Sequence, residues 1–358
     1  MASKKKSTKL SKASKKKEAE EPPERSGILA GGNFIVDHVK VVDYYPEQEM
    51  LATILSESTS NGGGPYNVLK DLSRLGAKYP LAATGLLGDD EAARWILEDC
   101  TKSGIATSGL RLTSQAPTSY TDAYTVRASG RRTFFHQRGA NALLDHEDIP
   151  FAKTRAKIFH YGYFLLLDAM DRFDEGGRTD ASRLLEAAVD AGLKTSAEAV
   201  SAEHEKFREI VNSSLPYVHY LFLNEIEAGL VTGVRLREGG DIHWSRCEEA
   251  AVRLIELGVR KVAIIHFPEG ALAALADGTV IRQHSILLPH DAIRGAAGAG
   301  DAFAAGVLHG IHEGWEIHKS LRLGVCVAAA CLGHPSSSGG VFPVEECLAI
   351  GEEFGFRS

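Results

Sequence analysis

Short apolar runs alternate with longer amphipathic stretches from Ser26 onward, and this alternation constrains the fold more than any other feature of the chain. The apolar runs have the length of buried strands, and the amphipathic stretches have the length of helices. The clearest strand-like runs are residues 27–33, 81–84, 158–161, 217–223 and 261–266, and the clearest helical stretches are residues 65–75, 90–103, 180–191, 244–257, 301–313, 317–332 and 344–354. This order predicts an α/β fold in three layers, with a mostly parallel central sheet. Ligands of such sheets bind at the carboxyl ends of the strands.

Two pairs of strand-like segments have a more polar pattern. Residues 39–42 and 51–58 form one pair, and residues 120–127 and 133–137 form the other. Their faces are only partly apolar, which is typical of strands that have one face in solvent. We predict that they form a small β-sheet lid over the ligand-binding edge, built from about residues 38–60 and 118–138. An exposed edge of this lid favours homodimerisation.

The first 24 residues differ from the rest of the chain in composition. They contain eight Lys and four Glu and carry a net charge of +4, whereas the remaining residues carry −11. Their sizeable apolar residues are Met1 and Leu10, which is too few to form a core. We therefore predict a disordered basic tail over residues 1–24 and one domain over residues 25–358. The acidic charge of that domain argues against nucleic acid as the main partner.

Two further patterns bear on the cellular compartment. No run of the sequence approaches the roughly 18 apolar residues that a membrane span needs, so we predict none. The five cysteines are scattered and include no C-x-x-C pair. This pattern is typical of reduced, buried thiols, and we predict a cytoplasmic protein.

A glycine- and alanine-rich segment, residues 295–306, carries the strongest chemical signal. Gly298 and Gly300 lack a Cβ atom, so the backbone can turn tightly and direct successive N–H groups into one concavity. A helix that starts near Asp301 adds partial positive charge there, which suits a phosphate. A carboxylate beside a bound phosphoryl group can accept the proton of an incoming hydroxyl, as in a kinase. The alternative is a structural helix–sheet junction in which Asp301 caps the helix.

Other motifs occur in a fixed order with this segment. They are residues 32–37 (GNFIVD), 61–67 (NGGGPYN) followed by Leu75-Gly76, 85–90 (GLLGDD), 117–119 (PTS), 139–141 (GAN), 224–227 (NEIE) and 298–301 (GAGD). Together they resemble the motifs of the ribokinase-like (PfkB) carbohydrate kinases, from about residue 27 to residue 340. This resemblance implies a ribokinase-like three-layer sandwich with a small β-sheet lid.

The resemblance also implies a reaction. It implies an ATP-dependent kinase that transfers the γ-phosphoryl group to a primary hydroxyl of a sugar or related polyol. Asp301 is then the base, and the backbone amides of Gly298, Ala299 and Gly300 stabilise charge on the transferred group.

The remaining site residues are assigned by the same resemblance. The implied substrate-binding residues are Asp37, Asn33, Gly62, Gly63 and Asn67, and the implied nucleotide-binding residues are Asn224, Glu227, Gly270, Gly298 and Gly300. Asn224 and Glu227 lie one helical turn apart, so an amide oxygen and a carboxylate could organise the water shell of a Mg²⁺ ion. The structural alternative for this pair is an ordinary helix N-terminus, where Glu227 complements the helix dipole.

Three positions depart from the family pattern. Gly295 replaces the acidic residue that helps form a monovalent-cation site in relatives, which puts potassium activation in doubt. Phe267 lies where the family has a Thr-Leu-Gly turn near the nucleotide, so we expect the phosphate and adenine packing to differ. Leu223 replaces the customary proline before Asn224.

Two other functions are compatible with these motifs. Adenosine-type nucleoside kinases share them, so a nucleoside is an alternative acceptor. A catalytically silent sugar-binding protein on the same fold is the second alternative. A binding protein needs none of Asp301, Asn224 and Glu227, so their joint presence favours the enzyme.

Overall fold

A computed structural model describes residues 24–334 and 336–358 of the chain. The predicted basic tail lies outside the described residues, except for Glu24. The strands are β1 (Ile28–Gly32), β2 (Ile35–Val42), β3 (Ile54–Gly62), β4 (Leu81–Gly88), β5 (Ile105–Thr113), β6 (Tyr120–Val126), β7 (Arg132–Gln137), β8 (Ile158–Phe164), β9 (Lys194–Ala199), β10 (Tyr220–Asn224), β11 (Arg237–Glu238), β12 (Asp241–Ile242), β13 (Val262–Phe267), β14 (Gly270–Leu275) and β15 (Val280–His284). The helices are α1 (Gly64–Arg74), α2 (Glu91–Lys102), α3 (Asp180–Asp190), α4 (Phe207–Ser214), α5 (Glu225–Thr232), α6 (Trp244–Glu256), α7 (Ala299–His312), α8 (Ile317–Leu332) and α9 (Val344–Phe354).

The central sheet has nine strands in the order β15-β14-β13-β10-β9-β8-β1-β4-β5. The strands from β13 to β5 in this order are parallel, whereas β14 and β15 are antiparallel to their neighbours. The prediction of a mostly parallel central sheet is therefore confirmed. The carboxyl ends of β1, β8, β9 and β10 meet at one edge of the sheet, where ligands of this fold class bind.

Helices cover both faces of this sheet, and alternate residues of each strand face opposite layers. On β10, Phe222 packs in the core that includes α1, α2, α7 and α8. Its neighbours Leu221 and Leu223 pack in the core that includes α3, α4, α5 and α6. Burying one such side chain contributes about 1.5–3 kcal/mol, so the two cores fix the sheet between the helical layers.

Helix α7 lies unusually close to α8. A Cβ atom added at Gly306 would lie 2.9 Å from the Cα atom of Gly324, so a larger residue would force the helices apart. Each residue of α7 from Asp301 to His312 is buried, which is typical of a helix surrounded by other elements. The N-terminus of α7 is thereby held rigidly at the edge of the sheet.

A second, small sheet is formed by β3, β2, β6 and β7, in that order. Strands β2 and β6 are parallel, and the two outer pairs are antiparallel. The small sheet predicted from residues 38–60 and 118–138 is therefore present. It leaves large apolar side chains exposed, among them Ile54, Leu55, Phe134 and Phe135.

Two further observations concern the cysteines and the helices. All five cysteines are buried and carry free thiols. In the described part of the chain, no helix combines the length and apolar character needed to cross a membrane.

Candidate active site

Asp301 lies in the first turn of α7, directly after the turn at Gly298. Gly298 has φ of 75°, in the left-handed region that favours glycine. A Cβ atom there would lie 2.2 Å from the carbonyl oxygen of Ser337, so this position has no space for a side chain. The tight turn directs the first amides of α7, which have no partner within the helix, toward the same space as the Asp301 carboxylate.

Two side chains hold the Asp301 carboxylate. The Asn67 amide Nδ2 donates a hydrogen bond to Oδ2 of Asp301 over 2.8 Å, and the Tyr163 hydroxyl donates to Oδ1. The Ser337 hydroxyl donates to Oδ1 of Asn67 over 3.0 Å, which fixes the orientation of the amide. Asn67, predicted on the substrate side, therefore lies directly beside the predicted base.

Burial makes Asp301 a stronger base than an exposed aspartate. Its side chain is 7% exposed, and burial raises its pKa to about 6. The donors Tyr163 and Asn67 act in the opposite direction, because they stabilise the charged form. A carboxylate with this pKa is charged at neutral pH and can still take a proton from a reacting group.

Asp301 lines a cavity of about 510 Å³ at the carboxyl edge of the central sheet. The predicted site residues Gly298, Gly300, Asn224 and Glu227 line the same cavity. Arg132 and Phe134 reach it from the small sheet. The structure therefore combines a base, a helix N-terminus and a polar pair in one space.

Asn224 and Glu227 form a capping box at the start of α5. Oδ1 of Asn224 accepts from the amides of Ile226 and Glu227, and Oε2 of Glu227 accepts from the amide of Asn224 over 2.9 Å. Oε1 of Glu227 also accepts from the Ser201 hydroxyl over 2.8 Å. The pair therefore does form the N-terminal cap of a helix, which was the structural alternative, and the side chains of Asn224 and Glu227 also line the cavity. Burial raises the pKa of Glu227 to about 7.

The oxygen atoms at this helix start fit a metal ion that is held through its water shell. Among the described residues, no group of three or more His, Cys, Asp or Glu has a geometry that could hold a metal ion directly. The oxygen atoms of Asn224, Glu227 and Ser201 are ligands of the type that hydrated Mg²⁺ contacts. The residues therefore fit indirect binding and not a protein cage.

The other predicted substrate residues cluster at the glycine loop before α1. A Cβ atom at Gly62 would lie 2.1 Å from Oδ2 of Asp37, and one at Gly63 would lie 2.1 Å from the carbonyl oxygen of Asn33. Burial, and then the charge of Asp301, raise the pKa of Asp37 to about 7. The Asn33 side chain is buried, and neither of its amide atoms has a hydrogen-bond partner among the described residues. Such a group calls for a ligand or water.

Of the described residues near β13, His266 lines the cavity, whereas Phe267 and Gly270 do not. Phe267 is buried against Trp244, with 4.9 Å between the ring centroids, and His266 lines the cavity instead. Gly270 lies in β14, where a Cβ atom would be 2.3 Å from the carbonyl oxygen of Gln283. The described lining of the cavity does not include Gly270, so the structure does not bring it together with Asp301.

Sequence reasoning missed several residues of the cavity, among them Tyr163, Glu198 and Arg132. Tyr163 lies in an aromatic strand end, which gave no functional signal. Glu198 lies on β9, a strand that the apolar pattern did not predict, and its pKa is raised well above its usual range by burial and by Asp301. Arg132 lines the cavity and forms no ion pair with the described residues. The sequence alone did not indicate that this arginine would lie at the cavity.

Sequence comparison decides the family. A model of the pfkB family of carbohydrate kinases matches residues 29–343. The chain belongs to this family. The pfkB kinases that it resembles include the ketohexokinase of Mus musculus, at 27% identity over 87% of this chain and 97% of that protein. A 5-dehydro-2-deoxygluconokinase of Clostridium perfringens is 26% identical over 77% of this chain and 79% of its own length. The enzyme is a phosphotransferase of the sugar kinase type, as predicted.

Solved structures confirm the ribokinase-like fold. A ribokinase of Arabidopsis thaliana, complexed with ribose and ATP, superimposes with a TM-score of 0.74 and 19% identity over 93% of this chain and 100% of that one. A nucleoside kinase of Methanocaldococcus jannaschii superimposes with a TM-score of 0.71 and 15% identity over 92% of this chain and 99% of that one. Sugar and nucleoside kinases thus share this fold, and the fold alone does not distinguish their acceptors.

Proposed function

We propose that this pfkB kinase transfers the γ-phosphoryl group of ATP to a primary hydroxyl of a sugar or related polyol, with Asp301 as the base. One observation carries the proposal: the buried Asp301 carboxylate shares a cavity with the N-terminus of α7 and with Asn224 and Glu227. A proton acceptor and an anion-binding helix end are two of the groups that support phosphoryl transfer to an alcohol.

The acceptor hydroxyl would donate its proton to Asp301 as its oxygen attacks the γ-phosphorus. The pKa of about 6 supports this role, because the carboxylate is charged at neutral pH. The free amides at the start of α7, from Gly298 to Gly300, would stabilise the charge on the transferred phosphoryl group. The rigid packing of α7 keeps these amides and the base in a fixed relation.

The phosphate side of the cavity would bind the nucleotide. Asn224 and Glu227 would hold Mg²⁺ through its water shell, and the ion would supply positive charge to the phosphate oxygens. Arg132, which reaches the cavity from the small sheet, would add a second positive charge.

The acceptor would bind at the glycine loop. The Asn33 amide offers one donor and one acceptor without partners within the described chain, and Asp37 offers a carboxylate, which together suit the hydroxyls of a polyol. Gly62 and Gly63 let the backbone approach the ligand. The ketohexokinase and deoxygluconokinase relatives act on sugars according to their names, which supports a sugar over a nucleoside.

We also propose a cytoplasmic location and a homodimer. The five free thiols support a cytoplasmic location. The exposed Ile54, Leu55, Phe134 and Phe135 of the small sheet support a homodimer formed through this sheet.

The proposal is tested by screening the purified protein with MgATP against a panel of ketoses, aldoses, polyols and nucleosides. ADP release and the phosphorylated product are both measured. We expect a sugar or polyol to be phosphorylated, and Asp301→Asn to lower the response by about 10²–10⁴. A response to nucleosides alone would favour the nucleoside kinase, and sugar binding without phosphorylation would favour the silent sugar-binding protein.

A further inference from the structure

Tyr163 lies between the glycine loop and the base. Its hydroxyl donates to Oδ1 of Asp301. Its ring packs on Gly64, where an added Cβ atom would be 2.7 Å from the ring carbon Cζ. Tyr163 also lines the cavity of about 510 Å³ that contains Asp301. A hydroxyl of this chain therefore makes the same hydrogen bond that the mechanism requires of the acceptor hydroxyl.

A base in this position faces a second possible nucleophile, which is water. Water could donate its proton to Asp301 while its oxygen attacks the γ-phosphorus. The bond from phosphorus to the bridging oxygen would break, ADP would leave with the electron pair, and inorganic phosphate would form. Phe134, on the rim of the cavity, is 60% exposed, so the cavity opens to solvent. Without protection, the enzyme would consume ATP without a product.

We propose that Tyr163 guards the base against water. Until a phosphoryl acceptor binds, the Tyr163 hydroxyl occupies the place on Asp301 that the acceptor hydroxyl takes during the reaction, and so it excludes water. This inference rests on the proposed role of Asp301 as the base. Tyr163 is then a residue that sets the ratio of phosphoryl transfer to ATP hydrolysis.

A polyol can displace the Tyr163 hydroxyl more easily than water can. Its other hydroxyls can pair with the buried Asn33 amide, whose two side-chain polar atoms have no partner in the described part of the protein. They can also pair with the Asp37 carboxylate, which lies against Gly62 at the same loop. A single water molecule at Asp301 gains none of these bonds. Binding energy from remote hydroxyls would thus open the base to the correct nucleophile.

The same strand offers a matched control. Tyr161 also lies on β8, is fully buried, and has a hydroxyl with no hydrogen-bond partner among the described residues. Tyr161→Phe and Tyr163→Phe remove the same atom from the same strand. Only the second substitution removes a hydrogen bond to Asp301.

The experiment measures ADP release from MgATP with and without the best acceptor from the panel. In Tyr163→Phe, water no longer has to displace a hydrogen bond to the charged Asp301, whereas a saturating acceptor has already displaced that bond in the wild type. The ratio of hydrolysis without acceptor to transfer at saturating acceptor should therefore rise by about tenfold to a hundredfold. Tyr161→Phe should keep the wild-type ratio. Adding Asp301→Asn to Tyr163→Phe should remove the extra hydrolysis, because that hydrolysis uses the same base.

The outcomes separate the two claims. An unchanged ratio in Tyr163→Phe, with acceptor phosphorylation that still depends on Asp301, would overturn the guard and leave the function standing. If the wild-type enzyme phosphorylates no acceptor of the panel, the proposed function itself is overturned. Transfer of a phosphoryl group to Tyr163, detected by intact mass and peptide mapping, would also overturn the guard. Tyr163→Phe keeps the ring that packs on Gly64 and removes only the hydroxyl, so its thermal transition should stay cooperative.

Discussion

Replacing Asn67 by leucine should move the pH dependence of the reaction to higher pH. The Asn67 amide donates to Asp301 over 2.8 Å and is one of the donors that oppose the rise of the Asp301 pKa caused by burial. Leucine has a similar volume but no donor, so the carboxylate loses a hydrogen bond while the packing is largely kept. The charged form becomes less stable, and the pKa of Asp301 rises.

The size of the shift follows from the strength of that bond. A hydrogen bond to a charged group contributes roughly 1.5–3 kcal/mol, and its loss corresponds to a rise of about one to two pKa units. Because the base must be ionised, activity is lost as the pH falls through the pKa and is regained above it. From a starting pKa of about 6, the ionised fraction at pH 7 falls from roughly nine-tenths to between about a tenth and a half. The acceptor kcat/KM at pH 7 should therefore fall about twofold to tenfold, and most of the loss should be recovered near pH 9.

The assay is the acceptor kcat/KM measured from about pH 5 to pH 9.5 for the wild type, Asn67→Leu and Ser337→Ala. Ser337→Ala removes the hydroxyl that orients Asn67 but keeps the Asn67 donor, so its acid limb should move by less than half of the Asn67→Leu shift. An acid limb in Asn67→Leu that stays at the wild-type pH, or that moves to lower pH, would refute the reasoning.

Three other substitutions test the assignments around Asp301. Glu227→Gln should raise the Mg²⁺ concentration needed for half-maximal rate and leave the acceptor KM nearly unchanged. Asp37→Ala should raise the acceptor KM and leave the Mg²⁺ requirement nearly unchanged. If both variants shift the same titration, one of the two assignments is wrong. Gly298→Ala should lower the melting temperature and the turnover, because the position is left-handed and a Cβ atom would meet the Ser337 carbonyl at 2.2 Å. Gly278→Ala is the control, since its φ is +90° but a Cβ atom there meets nothing within 4 Å; equal losses in the two variants would show that the contact with Ser337 is unimportant.

The sequence was sufficient to predict site residues where a motif coincides with the start of a helix. The glycine–alanine segment predicted both the start of α7 and the position of Asp301, since the tight turn and the helix follow from local residues. The Asn224–Glu227 pair was recognisable because it matches the Asn-x-x-Glu motif of the family, and in the structure it also forms a capping box. Both motifs lie at the carboxyl edge of the sheet, where ligands of this fold class bind, and the resemblance to the pfkB kinases implied that they share a site.

The sequence was insufficient where long-range packing decides. Strand β9 reads Lys194–Ala199, KTSAEA, and its polar residues gave no strand pattern. In the folded chain, Ser196 is buried and hydrogen-bonded to His160 on β8, and Thr195 is buried and hydrogen-bonded to His219, directly before β10. Glu198 was missed with that strand. Tyr163 reaches Asp301 across 138 positions of the chain, and no local pattern encodes such a contact. The contact between Tyr163 and Asp301 could therefore be identified only from the tertiary structure.

The most direct test of the central claim is the single-turnover rate of Asp301→Asn with saturating MgATP and acceptor, measured together with nucleotide binding. Asparagine keeps the size of the side chain and much of its hydrogen bonding but cannot take the proton of the acceptor hydroxyl. We expect the rate of the chemical step to fall by about 10²–10⁴ while the nucleotide affinity changes far less. A variant that phosphorylates the acceptor within about threefold of the wild-type rate would contradict the assignment of Asp301 as the base.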